Sequence, residues 1–168
     1  MDVRNCDWRY RLDAHRTRSL DFYSSLYLAG QAEAYGMLGK TQEGLDVIGE
    51  ALDVVQRTEE RWWEAEVHRI KGELLKLSGE LSEAEASFRQ AIEVARRQEA
   101  KSWELRATLS LSRLLQKTGR SEEARRLLSE VYGWFTEGFD TPDLKEAKAL
   151  LEELGGGGVE DSRIRGVE

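Results

Sequence analysis

The chain has 168 residues, of which 34% are charged and 40% hydrophobic, and its net charge is -7. This length suffices for one domain with its own core, and the acidic balance argues against nucleic acid, whose phosphates are bound by Lys and Arg. The lone Cys6 allows no intrachain disulfide, and the longest uncharged run, residues 22–32, is about half the length of a membrane-spanning helix. Because the N-terminus also lacks a signal-peptide pattern, we expect a cytoplasmic protein that binds neither nucleic acid nor membrane.

A repeat of 40 residues organises the chain. It is marked by three glycines, Gly39, Gly79 and Gly119. Each glycine is expected to end one helix, because it adopts a positive φ at little cost. A hydroxyl residue follows each glycine and is expected to cap the next helix: Thr41, Ser82 and Ser121. The sequence therefore predicts stacked pairs of helices.

Residues 1–18 are predicted to be an N-terminal extension that is either disordered or a helical cap. Residues 19–154 form the helical-repeat domain, and residues 155–168 form a flexible tail. The first helices of the three pairs are predicted at 20–38, 61–78 and 101–118, and the second helices at 41–57, 82–98 and 121–135. A capping helix follows, with Thr141 at the N-cap, Pro142 at the first helical position and Gly155 at its end.

Small and large apolar residues recur at fixed places in each repeat. In the second helices, the small residues are Gly44, Ala84 and Ala124, and the large residues four places later are Ile48, Phe88 and Leu128. In the first helices, the small residues are Ala32, Gly72 and Ser112. Because this spacing lays one apolar stripe along each helix, we predict an all-α, right-handed solenoid of three helix pairs plus a C-terminal capping helix.

The order of small, aromatic and glycine residues resembles the tetratricopeptide repeat (TPR), here lengthened by longer helices. Strings such as QAEAYGMLGKTQEGLDVIGEAL resemble the C-terminal helical-repeat region of bacterial multidomain signalling proteins. In those proteins a class III adenylate or guanylate cyclase domain, or a DNA-binding regulator domain, precedes an AAA-type ATPase module and a TPR-like array. The resemblance covers about residues 25–154. It implies a protein-interaction or regulatory module, either a fragment of such a protein or a free-standing relative.

No residue pattern typical of catalysis or metal binding is present in the sequence. The tripeptide Gly39-Lys40-Thr41 matches the end of a P-loop, but Ala34 stands where the earlier glycine belongs and a helix precedes it. The two histidines, His15 and His68, do not cluster with other ligands at a zinc-site spacing. We therefore predict no catalytic residue, no metal and no cofactor.

The resemblance to TPR arrays implies a concave face lined by the first helices. By register, this face comprises Glu33, Glu66, Arg69, Glu73, Lys76, Arg106, Arg113 and Gln116. Its charge changes from acidic to basic along the array, so it is expected to bind a peptide or a partner helix by charge matching. A solvated surface without a ligand is the alternative.

Homodimerisation is a second function that the sequence leaves open. The first predicted helix contains Phe22, Leu26 and Tyr27, which have no preceding repeat to pack against.

Aromatic residues outside the repeat pattern mark an additional candidate surface. Trp134 and Phe139 lie at the turn before the capping helix and are predicted as a docking edge for a partner domain. Of the adjacent tryptophans, Trp63 follows the repeat and is predicted to pack in the core, whereas Trp62 is predicted to be exposed.

Overall fold

The structure, a computed structural model, describes residues 24–58 and 61–156. Seven helices lie in these two ranges: α1 Ser24–Met37, α2 Thr41–Thr58, α3 Glu64–Ser78, α4 Leu81–Arg97, α5 Lys101–Lys117, α6 Ser121–Tyr132 and α7 Pro142–Gly156. The described residues contain no strand. The all-α prediction is confirmed, and the predicted N-terminal extension lies outside the described residues.

The turn inside each helix pair is closed by the same two backbone hydrogen bonds. After α1, the amide of Lys40 donates to the carbonyl of Tyr35 at 2.9 Å, and Gly39 donates to Gly36 at 3.1 Å. The pattern repeats after α3 and α5, and the three glycines have φ values of 72°, 88° and 79°. Only a residue that tolerates positive φ fits this closure, so the predicted role of the glycines is confirmed.

The predicted hydroxyl caps are wrong, since Thr41 and Ser121 are the first residues of α2 and α6 and Ser82 is the second residue of α4. In α4 and α6 the N-cap residues are Glu80 and Arg120, and neither makes a side-chain capping hydrogen bond. Each directly follows the turn glycine, and its carbonyl already accepts the first helical bond, from Ala84 at 2.9 Å and from Ala124 at 3.1 Å. The turn is therefore too short to leave the serine outside the helix.

Several helix ends differ from the predicted bounds. Helix α3 begins at Glu64 rather than 61, and α6 ends at Tyr132 rather than 135. Helix α7 begins at Pro142, as predicted, and its last residue is Gly156 rather than Gly155. The hydroxyl of Thr141 donates to the carbonyl of Gly138 at 2.8 Å, which holds the loop before α7.

The helix pairs stack so that the first helices of neighbouring pairs lie close together. Each helix packs against the next one in sequence, and α1 contacts α3, α3 contacts α5 and α5 contacts α7. In the described part of the chain, the second helices α2, α4 and α6 have no Cα atoms within 8 Å of one another. The stack is therefore narrower on the side of the first helices, which forms the concave face.

The core is built from the repeated small and large residues. Ile48, Phe88 and Leu128 are buried, as the repeat predicts. The ring of Phe88 lies over Gly72, where an added Cβ would approach its Cε1 atom to 2.5 Å. The small residue thus allows α3 and α4 to approach closely.

The capping helix closes the C-terminal end of the core. Leu144, Ala147, Leu150 and Leu154 of α7 are buried against the third pair. Leu151, next to Leu150 on the same helix, is only partly buried.

Candidate interaction surfaces

A row of ion pairs crosses the concave face from α1 to α5. Arg69 of α3 approaches a carboxylate oxygen of Glu33 on α1 at 3.3 Å, of Glu66 at 2.8 Å and of Glu73 at 4.0 Å. Glu66 also pairs with Arg106 of α5 at 3.0 Å. We call these five residues the ladder. It connects all three repeats through side chains of alternating charge.

The centre of the ladder is buried. The side chain of Arg69 is 10% exposed and that of Glu66 is 8% exposed. Burial works against the charge of Arg69, but the hydrogen bond and charge of Glu66, followed by the charges of Glu33 and Glu73, raise its pKa above the ordinary value. The ladder arginine therefore stays charged.

Glu73 is held in its ionised form as well. Burial opposes this, but hydrogen bonds from Lys76 and Ser110 and the charges of Lys76 and Arg69 lower its pKa below the ordinary range. Lys76 lies on the same helix and forms a close ion pair with this carboxylate. The ion pair between Glu73 and Lys76 thus extends the ladder along α3, and we call it the Lys76 branch.

A separate ion pair lies toward the C-terminal end of the concave face. Arg113 of α5 contacts Glu146 of α7 at 2.9 Å, and both side chains are nearly half exposed. Gln116, one helical turn further on, is partly buried. All eight predicted groove residues thus lie on first helices; six belong to the ladder and its Lys76 branch, while Arg113 and Gln116 do not. Their role in partner binding stays a prediction.

Sequence reasoning did not include Glu146 in this face. The 40-residue period could have indicated that Glu146 belongs to this face, because Glu66, Arg106 and Glu146 are equally spaced and alternate in charge. The capping helix occupies a first-helix position, so its residue at this offset lies on the same face as the other two.

Ion pairs on the opposite, convex face have a different geometry. Arg89 of α4 contacts Glu123 of α6 at 2.8 Å, and Arg120 contacts Glu85 of α4 at 2.7 Å. These side chains are all partly exposed. They span the gap between two second helices whose backbones do not touch, so long arginine side chains replace direct packing there.

Four of the five tryptophans lie where a second helix leads into the next first helix. Trp63 and Trp103 stack edge to face with ring centroids 5.7 Å apart, and both are partly buried. Trp62 is 69% exposed and, with Trp103, lines a surface cleft of about 440 Å³. The prediction that Trp62 is exposed is confirmed, whereas Trp63, which was predicted in the core, is only partly buried and packs on Trp103.

A second cleft, of about 460 Å³, lies between the start of α5, the loop after α6 and the start of α7. Its walls include Leu105, Trp134, Phe135, Glu137, Asp143 and Leu144, and we call it the aromatic cleft. Trp134 is 58% exposed and stacks edge to face on Phe135 at 5.2 Å. Phe139 does not line this cleft; its ring lies 5.7 Å from that of Tyr132. The two predicted docking residues therefore occupy different places, and docking at either stays a prediction.

Comparison with protein families supports a TPR-like repeat region. The Tetratricopeptide repeat family matches residues 65–137, which run from α3 to the loop after α6. A search among curated proteins gave no match. Together with the helical stack, the family match defines this region as a TPR-like α-solenoid. Repeats of this class generally mediate protein–protein interaction and are generally not catalytic.

Membrane spans and clusters of metal-binding side chains are both absent from the described residues. No helix there is long and apolar enough to cross a membrane. Within the same ranges, no three His, Cys, Asp or Glu side chains come together as metal ligands would.

Proposed function

We propose that this chain is a non-catalytic interaction module whose concave face binds an extended peptide or a helix of a partner protein. The ladder is the observation that carries the proposal. Buried ion pairs give little net stability compared with apolar packing, because desolvation offsets most of their attraction. A row of charges with a buried centre is therefore not explained by the needs of the fold, and partner recognition supplies a reason for it.

The exposed ends of the ladder suggest the polarity of the ligand. Glu33, the single charged residue of α1, is 47% exposed at one end. Helix α5 at the other end carries four basic residues and one acidic residue, a net charge of +3. A ligand with a basic segment over α1 and an acidic segment over α5 would match this gradient.

The biological setting that we infer is a cytoplasmic bacterial signalling protein. The support is the resemblance of the strings in residues 25–154 to the helical-repeat regions of cyclase-containing and ATPase-containing regulators. In that setting the module would position or regulate a partner domain, and it would bind neither nucleic acid nor membrane.

Homodimerisation through α1 is the second candidate function. Tyr27 on this helix is 74% exposed, and Leu26 beside it is partly buried. Phe22, the third predicted residue, lies outside the described residues. An exposed aromatic side chain on the first described helix favours contact with a second copy.

Two synthetic peptides of identical composition test the groove. One carries lysines in its N-terminal half and aspartates in its C-terminal half, and the other has the reverse order. We expect the protein to bind one order more tightly by fluorescence anisotropy. The substitutions Arg106→Glu and Arg113→Glu together should abolish or reverse that preference, because they invert the charge at the α5 end.

The control is Arg125→Glu, which changes an exposed arginine on the second helix α6. It should leave the preference intact. Equal binding of both peptides would contradict the groove proposal. Sedimentation of wild type and Tyr27→Asp then tests the alternative, since a dimer that dissociates on this substitution would support assembly through α1.

A further inference from the structure

We propose that the aromatic cleft is a second binding site, separate from the concave face, and that it takes an arginine side chain of a partner protein. The cleft combines an aliphatic floor, an exposed aromatic wall and a carboxylate rim. Leu105 and Leu144 are buried beneath it, Trp134 forms the wall, and Glu137 and Asp143 stand at the rim.

The wall already holds a cation from the chain itself. The Nζ atom of Lys101 lies 5.8 Å from the centroid of the Trp134 ring. This distance is within the range in which an ammonium group is attracted by the face of an indole. The ring of Trp134 is thus already approached by one positive charge.

The rim carries negative charge that is not neutralised within the described residues. The side-chain carboxylates of Glu137 and Asp143 have no ion-pair or hydrogen-bond partner there. Lys101 does not neutralise them, since its ammonium group is 2.7 Å from Glu104. A positive ligand group would supply the missing counter-charge.

The partial positive charges at the N-termini of α5 and α7 oppose the negative charge of the rim carboxylates but do not cancel it. Helices α5 and α7 both begin at the cleft, and each helix start is equivalent to roughly half of a positive elementary charge. Together they offset about one of the two rim carboxylates. The cleft therefore remains suited to a cation.

Arginine fits the cleft better than lysine. Its planar guanidinium group stacks on an indole and at the same time donates paired hydrogen bonds to a carboxylate. Its aliphatic stem would lie on the two leucines of the floor. Upon binding, Lys101 gives up its place over Trp134 but keeps its ion pair with Glu104.

The test uses the peptide acetyl-Gly-Arg-Gly-amide and, as its neutral isostere, the same peptide with citrulline in place of arginine. Binding is followed by NMR through the indole N–H signal of Trp134, which is assigned by its absence in Trp134→Phe. We expect the arginine peptide to shift this signal with a saturable profile. The citrulline peptide should shift it little.

Two variants and one control decide between a cation site and its alternatives. Glu137→Gln combined with Asp143→Asn should weaken binding of the arginine peptide by about threefold or more, since it removes the counter-charges. Lys101→Met should strengthen binding, because it removes a competing cation. Arg106→Glu should have no effect on this signal, so failure of the groove proposal and failure of this one can be told apart.

Four results would each overturn the proposal. The first is an equal shift by the citrulline peptide, and the second is unchanged binding in the rim double variant. The third is weaker arginine binding in Lys101→Met together with a saturable shift by inorganic phosphate, which would make the cleft an anion site. A cleft that gives no shift of Trp134 up to the solubility limit of the arginine peptide also contradicts it.

Discussion

Arg106 on α5 pairs with Glu66 on α3 at 3.0 Å, although the two residues are one full repeat of 40 positions apart in the sequence. The same guanidinium group lies 5.2 Å from the ring centroid of Trp103. Arg106 thus connects the ladder on the concave face to the tryptophans at the edge of the stack. This contact couples neighbouring repeats through a side chain that also faces solvent.

Arg69→Met should lower the free energy of unfolding by about 2 kcal/mol or more, because it leaves the buried Glu66 with Arg106 as its remaining ion-pair partner. Urea denaturation measures this change. Adding Glu66→Leu should recover part of the loss, since the stranded charge is then removed as well. The control Arg125→Met, at an exposed position, should change stability by less than about 0.5 kcal/mol. A larger loss in the double variant than in Arg69→Met would contradict this account.

Gly72→Ala should destabilise the protein by about 1 to 3 kcal/mol, because the new methyl group would overlap the ring of Phe88. Gly49→Ala is the matched control, since nothing lies within 4 Å of the added carbon at that exposed site in α2. It should stabilise the protein by up to about 1 kcal/mol through helix propensity. Thermal unfolding distinguishes the two directions. If both substitutions change stability alike, the close approach of α3 and α4 is not what selects glycine.

Glu99→Gly should stabilise the protein by about 1 kcal/mol. Glu99 has a φ of 55° in the turn after α4, where the amide of Ala100 donates to the carbonyl of Ala95 at 2.9 Å. Glycines take this conformation in the three turns within the helix pairs, so the glutamate is strained by comparison. The reverse change, Gly79→Ala, should cost a similar amount. A loss of stability in Glu99→Gly, measured by denaturation, would show that the glutamate side chain makes a stabilising contribution of its own.

The stability of the protein should fall between pH 6.5 and about 4 because of His68. Burial, followed by the charges of Lys71 and Arg97, lowers its pKa from 6.5 to about 4. The unfolded chain binds this proton at a higher pH than the folded protein, so unfolding is favoured as the pH falls below 6.5 and the effect levels off below about 4.

The variant His68→Gln should lose this dependence. Comparing unfolding free energies at neutral pH and near pH 5 should show a difference of about 1 kcal/mol between wild type and the variant, after allowance for partial exposure. His15→Gln is the control that replaces the other histidine. Equal pH dependence in wild type and His68→Gln would refute the assignment.

Three carboxylates affect stability at lower pH than His68. Glu73, Glu85 and Glu104 all have a lowered pKa in the folded protein, despite the opposing effect of burial, because of hydrogen bonds and charges from Lys and Arg partners. Their contribution to stability is present above the unfolded pKa of 4.5 and is lost as the pH falls through the lower folded values. The loss of stability that these carboxylates cause at low pH should remain in His68→Gln.

The candidate surfaces were less predictable than the helices. The sequence placed Arg69 and Glu66 on the concave face, but it did not indicate that they pair with each other and are nearly buried. Whether a long side chain meets solvent, a ligand or a neighbour depends on the distance between α1, α3 and α5, which no local pattern contains. The aromatic cleft had only a partial signal, because Trp134 departs from the repeat, whereas its rim of Glu137 and Asp143 depends on how α7 returns across α5.

By itself, the sequence determined the three helix pairs of residues 24–58 and 61–156, the glycine-closed turns within them and the repeated residues of their core. These features depend on local conformational preference and on a repeat whose small and large positions must fit together in every copy. Only the tertiary structure decided the ladder, the strained Glu99 and the aromatic cleft. Each of these depends on how closely neighbouring helices approach and on which charged side chains of other helices lie within reach, and these distances are set by the packing of the whole stack.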